Sequence, residues 1–378
     1  MYAQDLVQPL GSAGPALFQN DLAVLEDRQS HSELPCTVEV APPSLDFDLK
    51  LHSGYDVSLP LHELAGVGPG TVDIVFRVIP EGREPVYFSQ RFRTPAIDAK
   101  ARGVAQLQGG FDLGPGTYRV DWLLRDARQR ICSSHWGVKA SLPGSERLLP
   151  PALGPGVVQA SRRELFEEVS RAARGSLHVK ILVNFAPQEQ DAAILPREDK
   201  RAIVAMLRNI AREPRIGSFT VVAFNLRDQQ VLYRQSGASK IDFPALGKAL
   251  RARRAGTIDV RHLANKHGDT AFLRKLLSEE VTSPEANDAV IFVGPKAVLD
   301  QKLSTDALKS LGGAQYPVFY LEYNPDPAGN PWRDTIGIAV RFLKGREYAI
   351  TRPRDLWLAW RDVMSRLRDG GGPAIAAR

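Results

Sequence analysis

Side chains able to move a proton lie most densely in Arg261-His-Leu-Ala-Asn-Lys-His-Gly-Asp-Thr270. His267, Asp269 and Thr270 combine a base, a carboxylate and a hydroxyl, the parts of a hydrolase-like site. Neighbours in sequence are not yet a constellation, and a solvated loop accounts for the same residues. The seven histidines form no His-x-x-x-His or Cys/His spacing, so no zinc site is expected. Gly-x-Ser-x-Gly, Walker-type and Gly-x-Gly-x-x-Gly motifs do not occur, so no nucleotide cofactor is expected either.

The densest cationic stretch is Arg251-Ala-Arg-Arg-Ala-Gly256, followed by Arg261, Lys266, Arg274 and Lys275. Arg251, Arg253 and Arg254 could contact a polyanion such as an acidic polysaccharide or a membrane surface. Cations that favour the negative end of a helix dipole explain the same residues. No aromatic platform is interleaved with them, so nucleic acid is not favoured. The cysteines are only Cys36 and Cys132. Each sits in a strand-like run, one early and one late in the first half, so a disulfide or two buried thiols remain open.

Two different patterns position these residues. Net charge is +6 over 378 residues, but unevenly spread. Residues 1–156 hold 14 Lys+Arg against 18 Asp+Glu, and residues 157–378 hold 35 against 25. From 34 to 142 the period is two: Val72, Ile74, Phe76 and Val78 share a face, as do Tyr118, Val120, Trp122 and Leu124. Turns such as Gly66-Val-Gly-Pro-Gly70 and Gly114-Pro-Gly116 punctuate about seven strands, a β-sandwich pattern. Gly116-Thr-Tyr118 with Trp122 looks like the late-strand corner of immunoglobulin-like domains. Residues 1–33 read as a flexible segment and the proline-rich 143–156 as a linker.

Beyond the linker, over 157–370, short apolar runs alternate with helical spacing. His178-Val-Lys-Ile-Leu-Val-Asn-Phe185, Ala289-Val-Ile-Phe-Val293 and Pro317–Tyr323 read as strands buried on both faces. Arg197–Arg212 and Pro353–Leu367 read as helices, the latter with Trp357 and Trp360 facing a core. This alternation predicts a doubly wound α/β domain with a mainly parallel sheet. Residues 371–378 read as a flexible tail. No apolar run is long enough to span a membrane.

From about 176 to 368, this order resembles a von Willebrand factor type A domain. The first strand ends at Asn184-Phe-Ala-Pro-Gln188, where that family places an Asp-x-Ser-x-Ser loop. Gly268-Asp-Thr270 looks like its Gly-Thr segment, and Val293-Gly294 stands where a strand ends in Thr-Asp-Gly. The resemblance implies a divalent-cation site at the carboxyl edge of the sheet. Here Asn184, Ala186, Gln188 and Gly294 replace the expected Asp and Ser ligands, and only Thr270 matches. A hard cation needs carboxylates to compensate its dehydration, so the site is expected to be metal-free. The resemblance implies a non-enzymatic, extracytoplasmic protein (periplasmic or secreted) that binds another protein or matrix. A complete signal peptide is not recognisable at the start of the sequence. The other readings are a hydrolase-like enzyme at His267, Asp269 and Thr270, and a polyanion-binding module at Arg251–Arg254.

Overall fold

The computed structural model describes residues 4–7, 19–27, 29–65, 69–98, 100–161, 166–169, 175–188, 192, 195–252, 268–282, 287–297, 308–309, 312–332 and 334–368. The chain divides into two compact units, Met1–Arg163 and Glu164–Arg378.

The first unit runs β1 (Gln4–Val7), α1 (Gln19–Asp27), β2 (Thr37–Leu45), β3 (Leu51–Pro60), α2 (Leu61–Leu64), β4 (Gly70–Pro80), β5 (Val86–Thr94), β6 (Val104–Leu113), β7 (Gly116–Arg125), β8 (Ile131–Ala140) and β9 (Val158–Ala160). They form a sheet ordered β1-β5-β4-β7-β8 and another ordered β2-β3-β6-β9. Every pairing in both is antiparallel. The period-two faces meet in one core, with Tyr55, Val57 and Phe111 from one sheet and Phe76, Phe88 and Trp122 from the other. Tyr55 stands edge-on to Phe76 and Trp122, both at 5.5 Å between ring centres. Its buried hydroxyl donates to Gln90 Oε1 at 2.7 Å, so the core keeps no unpaired phenol there. Tyr118 Oη donates to the carbonyl of Gly114, four residues upstream, at 2.6 Å.

Two segments differ from the sequence expectation. Within 1–33, β1 pairs with β5 and forms the edge of that sheet, and α1 is packed rather than loose. Leu25 is fully buried against Val75, Tyr87, Leu123 and Ile131, on the sheet face turned away from the main core. Arg77 holds that helix by donating to the Leu25 carbonyl at 3.1 Å while pairing with buried Asp121 at 2.7 Å. Asp21 pairs with Arg125. The weak amphipathic pattern of 19–27 hid this, because Leu25 with Leu22 and Val24, and the ion pairs Asp21–Arg125 and Glu26–Arg77, do the anchoring. Likewise, 143–156 is not a free linker. Leu149 and Leu153 are buried, Ala152 N bonds Leu49 O, and Gly156 N bonds Pro115 O. The stretch belongs to the first unit, and the break falls at Arg163/Glu164.

Cys36, just before β2, is disulfide-bonded to Cys132 in β8, with Cα atoms 6.3 Å apart. The bond therefore joins edge strands of the two facing sheets.

The second unit runs β10 (Leu177–Asn184), α3 (Arg197–Ala211), β11 (Ile216–Asn225), β12 (Gln230–Ala238), α4 (Phe243–Ala252), α5 (Gly268–Glu280), β13 (Ala289–Pro295), β14 (Val318–Tyr323), α6 (Thr335–Phe342), β15 (Arg346–Ile350) and α7 (Pro353–Arg368). Its sheet is ordered β12-β11-β10-β13-β14-β15. All pairings are parallel except the β11–β12 hairpin. Every residue of β13 and β14 is buried, which is why these strands read as continuous apolar runs. On one face Leu182, Phe224, Phe292 and Tyr320 pack against Leu273 and Leu277 of α5 and Ile336 and Val340 of α6. Each such side chain contributes roughly 1.5–3 kcal/mol by leaving water. Lys180 is buried on the same face, where Glu280 of α5 accepts from its ammonium at 3.3 Å and also pairs with Arg234.

Candidate functional site at the carboxyl edge of the second sheet

Parallel pairing of Val183 with Val293 brings the ends of β10 and β13 side by side. Asn184, Ala186, Gln188 and Gly294 thereby gather at one place. Asn184 is buried, and its Oδ1 accepts from the backbone N–H of Ala186 at 3.1 Å and of Leu226 at 3.3 Å. Among the described residues, its buried Nδ2 has no hydrogen-bond partner. Gln188 donates to Asn324 Oδ1 at 3.2 Å, tying the loop after β10 to the end of β14. Gly294 has φ +150°, and a Cβ there would stand 2.6 Å from the Asn184 carbonyl oxygen. The Asn184 side-chain oxygen thus braces two backbone amides. Thr270 lies in the first turn of α5, and both its N–H and its hydroxyl donate to Asp269 Oδ1. Gly268 beside it lies against the Gln229 side chain in the β11–β12 turn.

One column over, at β14, β15 and the start of α6, lies a cluster that sequence reasoning missed. Ligand oxygens of Glu322, Asp334 and Glu347 all lie within 4.8 Å of one another. Burial, the hydrogen bond to Glu347 and the charge of Asp334 push the Glu322 carboxyl up to about 8, although Lys296 opposes this. Asp334 caps α6, accepting from Gly337 N at 3.1 Å and from Ala297 N at 2.6 Å. Burial raises it to about 6 against those bonds. Lys296 Nζ stands 3.5 Å from Glu322, and Arg341 Nε stands 3.4 Å from Glu347. These cations supply part of the positive charge that a divalent ion would bring. A glutamate inside the apolar run Val318-Phe-Tyr-Leu-Glu-Tyr323 was the available signal. Nothing local marks Glu347, whose role depends on strand order.

In the first unit, His52, Asp112 and Ser161 meet in an arrangement whose residue types suggest a nucleophile and its base. Asp112 Oδ1 and Ser161 Oγ both approach the same nitrogen, His52 Nδ1, at 3.2 and 3.0 Å. A relay needs the hydroxyl and the carboxylate on opposite ring nitrogens, so this geometry is not one. Lys50 instead joins Asp112 at 3.1 Å and Gln159 at 3.2 Å, fastening β9 to its sheet. Burial would raise the Asp112 carboxyl, but His52 and Lys50 outweigh it and hold it below the usual range.

His262, His267, Arg253 and Arg254 lie outside the described residues. Arg251 is exposed in the last turn of α4, where a cation meets the helix dipole favourably. Trp357 and Trp360 are half-buried rather than fully in a core. Arg361 lies over the Trp357 ring at 4.6 Å, and Trp360 donates to Glu213 at 3.1 Å.

No protein-family model matches the chain, and no curated protein does. Among solved structures, a superoxide reductase (neelaredoxin) from Ignicoccus hospitalis is 14% identical over 28% of this chain and 80% of its own, with a TM-score of 0.18. A β-glucuronidase from Bacteroides uniformis is 11% identical over 82% of this chain and 38% of its own, with a TM-score of 0.20. A β-glucosidase from Listeria innocua is 11% identical over 29% of this chain and 17% of its own, with a TM-score of 0.18. Scores this low carry no argument about fold or activity. Among the described residues, no helix is long and apolar enough to cross a membrane.

Proposed function

We propose that the chain is a non-enzymatic interaction protein of the extracytoplasmic space. In this reading an immunoglobulin-like sandwich precedes a doubly wound, von Willebrand A-like domain whose cation site has lost its carboxylates. The partner is another protein or a matrix component, bound at the carboxyl edge of the second sheet.

The observation that carries the reading is the strand order β12-β11-β10-β13-β14-β15. Numbered from β10, skipping no strand, it is 3-2-1-4-5-6, with the direction of winding reversing between β10 and β13. Ligands of open α/β sheets bind outside the carboxyl ends at such a switch point. Asn184, Gln188 and Gly294 stand there, and the Asn184 oxygen braces backbone amides. The sandwich half of the reading is supported by the Tyr118–Gly114 bond, which has the form of a tyrosine corner. The disulfide supports an oxidising compartment.

Affinity capture from the native source with the full chain, followed by calorimetry on the captured partner, tests this. Binding should be unchanged by chelator and weakened by joint replacement of Gln188 and Asn324 with alanine. Binding that needs Mg²⁺ or Mn²⁺, or turnover of the captured molecule, would sink the reading.

A further inference from the structure

The sheet ordered β2-β3-β6-β9 ends on a strand that covers only part of its neighbour. β9 pairs with Phe111, Asp112 and Leu113 of β6, whereas β3 pairs with all of β6 from Val104 to Leu113. Among the described residues, Val104–Gly110 therefore has a strand on one side only. Alternation along the strand tells which backbone groups face the open side. Gly114 N donates to Val157 O on the β9 side, and Gly103 O accepts from Leu61 N on the β3 side. The N–H and C=O groups of Val104, Gln106, Gln108 and Gly110 are thus the ones aimed at the open edge.

Other edges of the three sheets carry features that block pairing with a further strand. β2 contains Pro42 and Pro43, with a register break between Ala41 and Ser44. β8 is covered at its start, where Leu34 N donates to Ile131 O and Ser133 N to His31 O, and it carries Lys139 beyond. β12 carries Arg234, and its pairing is interrupted twice. β1, β9 and β15 are no longer than five residues. Val104-Ala-Gln-Leu-Gln-Gly-Gly110 has no proline, no charge and no register break. Its inward side chains Ala105 and Leu107 are only partly buried against the sandwich core, so the core is left open along this flank. Val104 is 55% exposed.

We propose that this edge is the interface of a two-fold dimer, in which the Val104–Gly110 strands of two copies pair antiparallel into one continuous sheet. A two-fold axis sets the same strand against itself, so any charge on it would face its like. This strand has none. With Gln106 on the axis, its amide meets its own copy, and an amide that both donates and accepts complements itself. Ala105 of each copy then lies opposite Leu107 of the other, and the two cores are closed across the seam. The interface belongs to the first unit alone, so its failure leaves the binding reading at the second sheet untouched.

Sedimentation velocity and light scattering on the full oxidised chain, from about 1 to 200 µM, should show a monomer–dimer equilibrium. Gln106→Pro removes a donor aimed at the open edge and spares the bonds to β3. It should weaken dimerisation about tenfold or more while the unfolding midpoint stays close to wild type. Gln106→Lys, a change at an exposed side chain, sets two ammonium groups opposite each other. Its dimer should weaken similarly and recover in part with added salt. A monomer at every concentration, or a dimer that both variants leave intact, would overturn the proposal. A chain that stays monomeric yet takes up an extended peptide along this strand would overturn it in favour of strand capture from another protein.

Discussion

At the scale of single residues, two polar side chains carry the clearest consequences. Asn184 satisfies two buried N–H groups with one oxygen. Asn184→Ala would strand both, and should destabilise the second unit by about 1–3 kcal/mol, read by chemical denaturation. Glu322 acts in the opposite sense, because its proton is bound more tightly in the folded state. The native state therefore holds more protons than the unfolded chain between the ordinary glutamate value and about 8. Its stability contribution is complete below that window and is lost as pH rises through it. Thermal unfolding should show a decline from mildly acidic to mildly alkaline pH. Glu322→Gln should flatten it, with a gain on the order of 2 kcal/mol at the alkaline end. An unchanged slope would show that the cluster titrates elsewhere.

At the scale of elements, the end of β13 is set by a residue with no side chain. Gly294 has φ +150°, a region L-residues rarely adopt, and backbone of β10 fills the space where its Cβ would be. Gly294→Ala should force β10 and β13 apart at their carboxyl ends, costing about 2 kcal/mol or more. Loss of the Asn184–Leu226 bond would show as faster amide exchange at Leu226. Across the first unit, the Cys36–Cys132 bond closes a loop with a sequence separation of 96 and ties the edges of two sheets. On the chain-entropy model it contributes about 4.7 kcal/mol. Reductant, or Cys36→Ser with Cys132→Ser, should lower the melting temperature of the first unit; a melt insensitive to both would show that the core alone suffices.

At the scale of the whole chain, the unit boundary decides where a protease first cuts. Residues 143–156 are held by buried Leu149 and Leu153 and by amide bonds to Leu49 and Pro115. Limited proteolysis with trypsin should therefore cut after Arg162 or Arg163 before it cuts after Arg147. The products should be two fragments that unfold in separate transitions. Early cleavage at Arg147 would mean that the segment opens more readily than its contacts imply.

What the sequence by itself determined was periodicity. Alternation from Val72 to Val78 and Tyr118 to Leu124 announced antiparallel strands, because a half-buried strand must alternate. The mainly apolar runs at His178–Phe185, Ala289–Val293 and Pro317–Tyr323 announced strands covered on both faces. The clustering of Asn184, Ala186 and Gln188 was legible because they share one loop. Anything resting on contacts between distant segments was not. The packing of α1 depends on Leu25 finding a sheet face formed 50 to 100 residues later. The proline-rich 143–156 reads as a linker by composition, since the bonds that anchor it go to Leu49 and Pro115, far away in sequence. Glu322, Asp334, Glu347 and Lys296 come from four different places in the chain, and only strand order sets them side by side. Local pattern is a property of neighbouring residues, whereas a buried charge cluster is a property of how elements pair. Only the tertiary structure could decide the second.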